Sequence, residues 1–193
     1  MYLSAPLPFV GQKRMLAKEF MKVLEQYPDG TLFVDLFGGS GLLSHITKSL
    51  KPHSTVIYND FDNYRFRMKH IPQTNQLLAD IREMVGNSVP RHKIIKGELR
   101  ERIFSRIEQE ENSTGYVDFI TLSSSILFSM KYKLSVQDMR KEALYNNIRK
   151  TGYPECTDYL EGLEIVSCDY KEVFNRYKDI PGVVLLVDPP NLS

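Results

Sequence analysis

Leu32-Phe33-Val34-Asp35-Leu36-Phe37-Gly38-Gly39-Ser40-Gly41 decides the fold. An apolar run that meets an acid and then a cluster of glycines reads as a buried strand, predicted over 31–37, breaking into a tight turn. Residues 42–50 then carry helical spacing, Lys51-Pro52-His53 stops the helix, and 55–59 (Thr-Val-Ile-Tyr-Asn) form a second strand closed by Asp60. Strand, glycine turn, helix and strand make a βαβ unit, which implies a parallel sheet with a right-handed crossover. Upstream, Met15, Leu16, Phe20, Val23 and Leu24 recur at three- and four-residue spacing and predict a helix over 14–27.

The same junction recurs at Val183-Val184-Leu185-Leu186-Val187-Asp188-Pro189-Pro190-Asn191, two residues before the sequence stops. A strand this apolar needs neighbours, and soluble proteins avoid leaving one as an open edge. The expectation is that a partner chain, a second copy or another protein, covers Val183–Val187, or that the chain is a truncated form. Between the junctions the alternation breaks. Helices are predicted from Ile71, Leu77, Leu78, Ile81, Met84 and Val85, and from Ile94, Ile95, Leu99, Ile103, Phe104 and Ile107. Two more are predicted over 116–131 and 137–150, and strand character returns at 164–167. The fold class expected is α/β: a Rossmann-like sheet over 1–64 and 161–193, incomplete at its C-terminal edge, interrupted by a helical insertion over 65–160.

Composition fits a soluble globular chain, with 42% hydrophobic and 25% charged residues among 193. Cys156 and Cys168 belong to no metal-binding spacing, so no metal is expected and a reducing compartment suits them. The first residues show no basic segment running into an apolar stretch, and no run reaches membrane-spanning length, so a cytoplasmic location is expected. Charge is balanced overall but unevenly placed. Residues 65–150 hold sixteen Lys/Arg against ten Asp/Glu, whereas 151–193 hold three against eight. A basic middle points to a polyanion partner, or to a solvated helical face.

Glycines let a backbone turn sharply and approach a ligand closely. An acid at the end of the next strand, here Asp60, can accept from both hydroxyls of a ribose. Asp35 beside the glycines would repel a pyrophosphate but can hold an ammonium group, and no Gly-x-Gly-x-x-Gly is present. That favours an amino-acid-bearing nucleoside such as S-adenosylmethionine over a nicotinamide cofactor. At Asp188-Pro189-Pro190 the prolines remove two N–H donors. Acceptors remain, and an exocyclic amino group has two hydrogens to offer them.

Together, Pro8-Phe9-Val10-Gly11-Gln12-Lys13, Asp35-Leu36-Phe37-Gly38-Gly39-Ser40-Gly41, Asn59-Asp60, Cys168-Asp169-Tyr170 and Asp188-Pro189-Pro190 stand in one order. In that order the chain resembles Dam-like DNA adenine-N6 methyltransferases over essentially its whole length. The resemblance implies transfer of a methyl group from S-adenosylmethionine to adenine N6 in double-stranded DNA, as in restriction-modification. It implies that Lys13 and Asp35 flank the methionine portion of the cofactor, with Gly38, Gly39 and Gly41 packed against it. Asp60 would hold the ribose, Asp169 accept from the adenine amino group, and Tyr170 pack on its ring. Phe9, Gly11 and Phe37 belong to the same cofactor-binding set. Asp188, Pro189, Pro190 and Asn191 form the catalytic set that receives the flipped target base. The insertion becomes the DNA-recognition domain. Asn191 departs from the family, which carries an aromatic residue there, usually tyrosine. Asparagine offers no π face for a base. The alternative reading is therefore a catalytically impaired relic that binds cofactor or DNA without turnover.

Overall fold

The structure is a computed structural model, and it describes residues 1–9, 11, 16–128 and 131–189. It divides the chain into two compact units, 1–68 with 156–193 and 69–155.

Unit 1 is built on a parallel sheet. Its strands are β1 (Phe33–Asp35), β2 (Val56–Asn59), β5 (Glu164–Val166) and β6 (Val184–Leu186), in the order β5-β2-β1-β6. Register sets Phe33 beside both Val56 and Val184, and Asp35 beside Tyr58 and Leu186. Alternation along the strands sends side chains to two faces. On one face Phe33, Val56 and Leu186 pack with Ala17 and Leu24 of α1 (Ala17–Leu24) and with Leu42 and Ile46 of α2 (Leu42–Leu50). On the other, Val34, Leu36 and Ile57 pack against Val173 of α8 (Tyr170–Tyr177). The outcome is the α/β class expected from the sequence, with helices on both faces of a parallel sheet.

The strand order creates the feature that matters for function. From β1 the chain moves one way to β2 and β5, then returns to place β6 on the other side of β1. The connections on the two sides of β1 thus run in opposite directions along the sheet, and it is beyond the carboxyl ends of such strands that open α/β sheets bind ligands. Asp35 and the residues following Leu186 lie at that point.

Asn59 ties three strand ends together. Its Nδ2 donates to the carbonyls of Leu36, at 3.0 Å, and of Cys168, at 2.9 Å, while its Oδ1 accepts from the Cys168 N–H at 3.1 Å.

Unit 2 contains α4 (Ile71–Val85), β3 (Ile94–Ile95), α5 (Gly97–Thr114), α6 (Phe119–Ile126), α7 (Val136–Arg140) and β4 (Leu144–Tyr145). The six-residue helix α3 (Tyr64–Lys69) precedes it. Helix α6 is buried almost all round, and the Asp118 side chain caps it by accepting from the Thr121 N–H. Three sequence expectations change. Ile94 and Ile95 are not helical: they pair antiparallel with Tyr145 and Leu144, and Lys96, in extended backbone, separates them from α5. The predicted 137–150 helix is the five-residue α7 followed by β4. The 116–131 helix contracts to Phe119–Ile126, because Leu127 turns to extended backbone.

Candidate active site

Asp35 ends β1 in the interior, only 1% exposed. Its Oδ2 accepts from the Ser44 hydroxyl of α2 at 2.7 Å, while Oδ1 is buried without a hydrogen-bond partner. Burial pushes its pKa up to about 6, against the pull of the Ser44 hydroxyl, the charge of Asp188 adds to the rise, and the Phe37 N–H opposes it. Two acids from adjacent strands therefore feel each other where the strand order reverses. A buried carboxylate oxygen lacking a donor is costly unless a ligand supplies one.

The glycines have three different reasons. A β-carbon on Gly38 would lie 2.3 Å from the Tyr58 ring and 2.7 Å from the Asn59 carbonyl, so this residue lets the turn press onto the end of β2. Gly39 (φ 50°) runs beneath Phe9, with 3.0 Å from a β-carbon to the ring, and Gly41 (φ 73°) opens α2 in the left-handed region. Gly38→Ala is expected to destabilise unit 1 by about 1–3 kcal/mol or more, because the clash is with a ring that is itself fully buried. A thermal melt within a degree of wild type would refute that account.

Asp60 is 3% exposed, and its oxygens are committed to the protein. Oδ1 receives the Tyr64 N–H at 2.5 Å and lies 3.0 Å from the Tyr58 hydroxyl, while Oδ2 receives the Arg65 N–H at 3.1 Å. It thus satisfies two amides that begin α3. Burial raises its pKa, and those amides oppose the rise. The exposed pair beside it, Phe61 and Asp62, was not singled out in the sequence. Asp169 caps α8 through the Lys171 N–H at 2.8 Å, and Tyr170, 40% exposed, lies over Phe37 with ring centroids 4.8 Å apart. Asp188 is half-buried beyond β6 and Pro189 is exposed, while Gly11 is exposed. Lys13, Pro190 and Asn191 lie outside the described residues. Ser44 was missed in the sequence, and Asn59 entered it only within Asn59-Asp60 with no role of its own, since a serine or asparagine shows its partners only after folding.

Against known families, residues 9–192 match the model of the D12 class N6 adenine-specific DNA methyltransferases. The chain belongs to this family. A Haemophilus influenzae protein bearing the name "Putative methyltransferase" is 40% identical over 195 residues, covering 99% of this chain and 65% of that relative. The chain thus spans less than two thirds of the relative's length. Among the described residues of this family member no cluster of His, Cys, Asp and Glu could hold a metal ion, and no helix is long and apolar enough to cross a membrane. A positively charged methyl donor fits what is present: an unbonded buried carboxylate oxygen on Asp35, with a second carboxylate near it.

Proposed function

We propose that this chain moves a methyl group from S-adenosylmethionine to the N6 of adenine in double-stranded DNA. The single observation that carries the reading is Asp35 at the reversal of strand order, with Oδ1 buried and unbonded and Asp188 beside it. When bound, S-adenosylmethionine supplies a methyl on a positively charged sulfur, an electrophile that needs neither metal nor covalent enzyme intermediate. Asp35 would bind the ammonium of its methionine portion, with Lys13 on the other side. Gly38, Gly39 and Gly41, with Phe9, Gly11 and Phe37, would line the cofactor beside it. The Asp188 carboxylate and a neighbouring proline carbonyl would each accept one hydrogen of the target amino group. That turns the nitrogen lone pair toward the methyl and stabilises the positive charge that grows on nitrogen. Such alignment contributes roughly 7–11 kcal/mol in well-oriented reactions. The base must leave the helix stack to reach these acceptors.

Asp60 would serve as the ribose acceptor through a lone pair that the Tyr64 and Arg65 amides leave open. Asp169 and Tyr170 would flank the cofactor's adenine. Asn191, in place of an aromatic residue, would forgo stacking worth about 1–3 kcal/mol per base.

Unit 2 supports the DNA assignment through a sorting of its cations. Two of the three arginines of α5 serve the protein: Arg106 bonds Asp80 and Glu110, each at 2.8 Å, and Arg100 bonds Glu101 at 2.7 Å, while Arg102 is exposed. Arg140 of α7 bonds Glu101 and Glu108. Exposed Lys93 and Lys96 flank β3, and exposed Arg149 and Lys150 follow β4. Their segments are tied by the Asn146 N–H to the Lys93 carbonyl at 2.9 Å and by Arg91 to the Ile148 carbonyl. No carboxylate occurs in 87–97 or 143–154. The phosphate-binding face would then be the two-stranded ribbon, with these four exposed cations, rather than α5, where Arg102 is the one exposed arginine.

The test is transfer of labelled methyl to adenine-containing duplex DNA. Absence of transfer in the presence of cofactor binding, in wild type and in Asn191→Tyr, would leave the relic reading. Lys93→Ala with Lys150→Ala should weaken DNA binding at every sequence and lower the salt slope by about 2, one per phosphate contact. An unchanged slope would place the phosphates elsewhere.

A further inference from the structure

The N-terminal segment lies across unit 1, fastened at three points before it reaches the glycine turn. Tyr2 donates its N–H to His45 Nε2 at 2.8 Å and its hydroxyl to Asp158 Oδ1 at 2.6 Å. Leu7 is buried, and its N–H donates to the Tyr64 hydroxyl at 2.9 Å. The Pro8 carbonyl accepts from Arg67 at 2.8 Å. The next residue is Phe9, whose ring covers Gly39 and meets Tyr64 edge-on with centroids 5.8 Å apart.

Of these fastenings, His45 is the one whose chemistry can change. It sits in α2, is 7% exposed, and stacks on Tyr159 with ring centroids 4.8 Å apart and planes 14° from parallel. Its Nδ1 lies 2.7 Å from the Tyr159 carbonyl. A carbonyl only accepts and a backbone N–H only donates. Nδ1 therefore carries the proton, Nε2 presents its lone pair to Tyr2, and the ring is neutral in this arrangement.

We propose that His45 is a positioning residue for the glycine turn: its neutral ring pins the N-terminal segment across α2 and so keeps Phe9 seated on Gly39. The pin acts at the turn proposed above to hold the cofactor, and only the cofactor readout rests on that reading.

Protonation would set a second N–H against the Tyr2 N–H and remove the pin. From the N-terminal segment, His45 faces the terminal ammonium, which disfavours its proton, and the Tyr2 ring, edge-on at 5.2 Å. From the segment before β5 it faces Tyr159 and Asp158, whose charge favours the proton. Cys156 accompanies Asp158 at the Tyr2 hydroxyl. On its own helix the Ser49 hydroxyl lies 3.4 Å from Nε2. Burial outweighs these and holds the imidazole below its ordinary 6.5. The folded state therefore takes up this proton less readily than the unfolded chain. The pin's contribution is complete above pH 6.5 and is lost as pH falls below that value.

The test is hydrogen-exchange protection of the Tyr2 and Leu7 amides, followed by NMR in the full chain between pH 8 and 5, with S-adenosylmethionine affinity measured alongside. Wild type should lose protection by about tenfold on acidification, the scale of one such bond. His45→Phe keeps the ring and its stack but loses both nitrogens. It should show low protection at every pH with no step, and a cofactor affinity several-fold weaker. Tyr2→Phe, which loses the Asp158 bond but keeps the N–H to His45, should retain the step. Flat protection in wild type, a step that persists in His45→Phe, or unaltered protection in that variant would each overturn the proposal. If His45→Phe does not fold, the step in wild type and Tyr2→Phe still decides it. Failure of wild type to bind S-adenosylmethionine would sink the cofactor reading and leave the exchange result to judge the pin.

Discussion

Asp35→Asn should give a protein that is more stable and holds its cofactor poorly. The carboxyl is pushed to about 6 from an ordinary 3.8, so folding disfavours its charge. The sign follows from linkage: the penalty is fully present above pH 6, is relieved as pH falls through 6, and is gone below 3.8. At about 1.4 kcal/mol per pH unit the full penalty is on the order of 3 kcal/mol. Asparagine keeps an acceptor for the Ser44 hydroxyl and carries no charge. The expected gain is about 1–3 kcal/mol at pH 8, shrinking toward zero near pH 4, read from thermal melts of the ligand-free protein. Cofactor affinity should move the other way, by roughly 10- to 100-fold, the scale of a hydrogen bond to a charged group. In wild type the affinity should fall about tenfold per pH unit below 6, and in the variant that dependence should vanish. Equal affinities in calorimetry would remove Asp35 from the cofactor site.

Asp188→Asn separates chemistry from binding. If Asp188 accepts from the target amino group as its nitrogen gains charge, removing its negative charge should cut turnover by about 10²–10³, the loss typical of an electrostatic transition-state partner. Cofactor binding should survive. One further change is specific to this arrangement: the charge of Asp188 helps raise the Asp35 carboxyl, so its removal should move the acid limit of cofactor binding to lower pH. Reduced turnover with an unmoved limit would mean that the two acids do not share a site. Unreduced turnover would end the catalytic assignment.

The strand, glycine turn, helix and strand around Asp35 were legible in the sequence. A buried strand, a turn needing positive φ and an amphipathic helix each leave a local pattern. The side of β1 on which β6 pairs was not, because strand order is a long-range choice. The ribbon of Ile94-Ile95 with Leu144-Tyr145 was illegible for another reason: two apolar residues fit either period, and only the pairing settles them. Asp35 and Asp188 stand out in the sequence as acids at strand ends, and the structure brings them within reach of each other's charge. The same argument drew Asp60 toward a ribose, while its oxygens cap α3. An acid shortly before a helix fits both descriptions, and local sequence does not separate them. Charge counting likewise does not separate free cations from paired ones: on α5, Arg106 is bonded to Asp80 and Glu110, and Arg100 to Glu101.

The return of β6 to the flank of β1 also dictates an order of assembly. As the chain leaves the ribosome, Phe33 can pair with Val56 almost at once, whereas its other neighbour, Val184, emerges only after the whole of unit 2. Until then β1 keeps a bare hydrogen-bonding edge, and unit 2 is completed before that edge closes. Pairings so distant along the chain form slowly. Refolding from denaturant should therefore show an early compact species in which β1 is open on one side, at greatest risk of self-association.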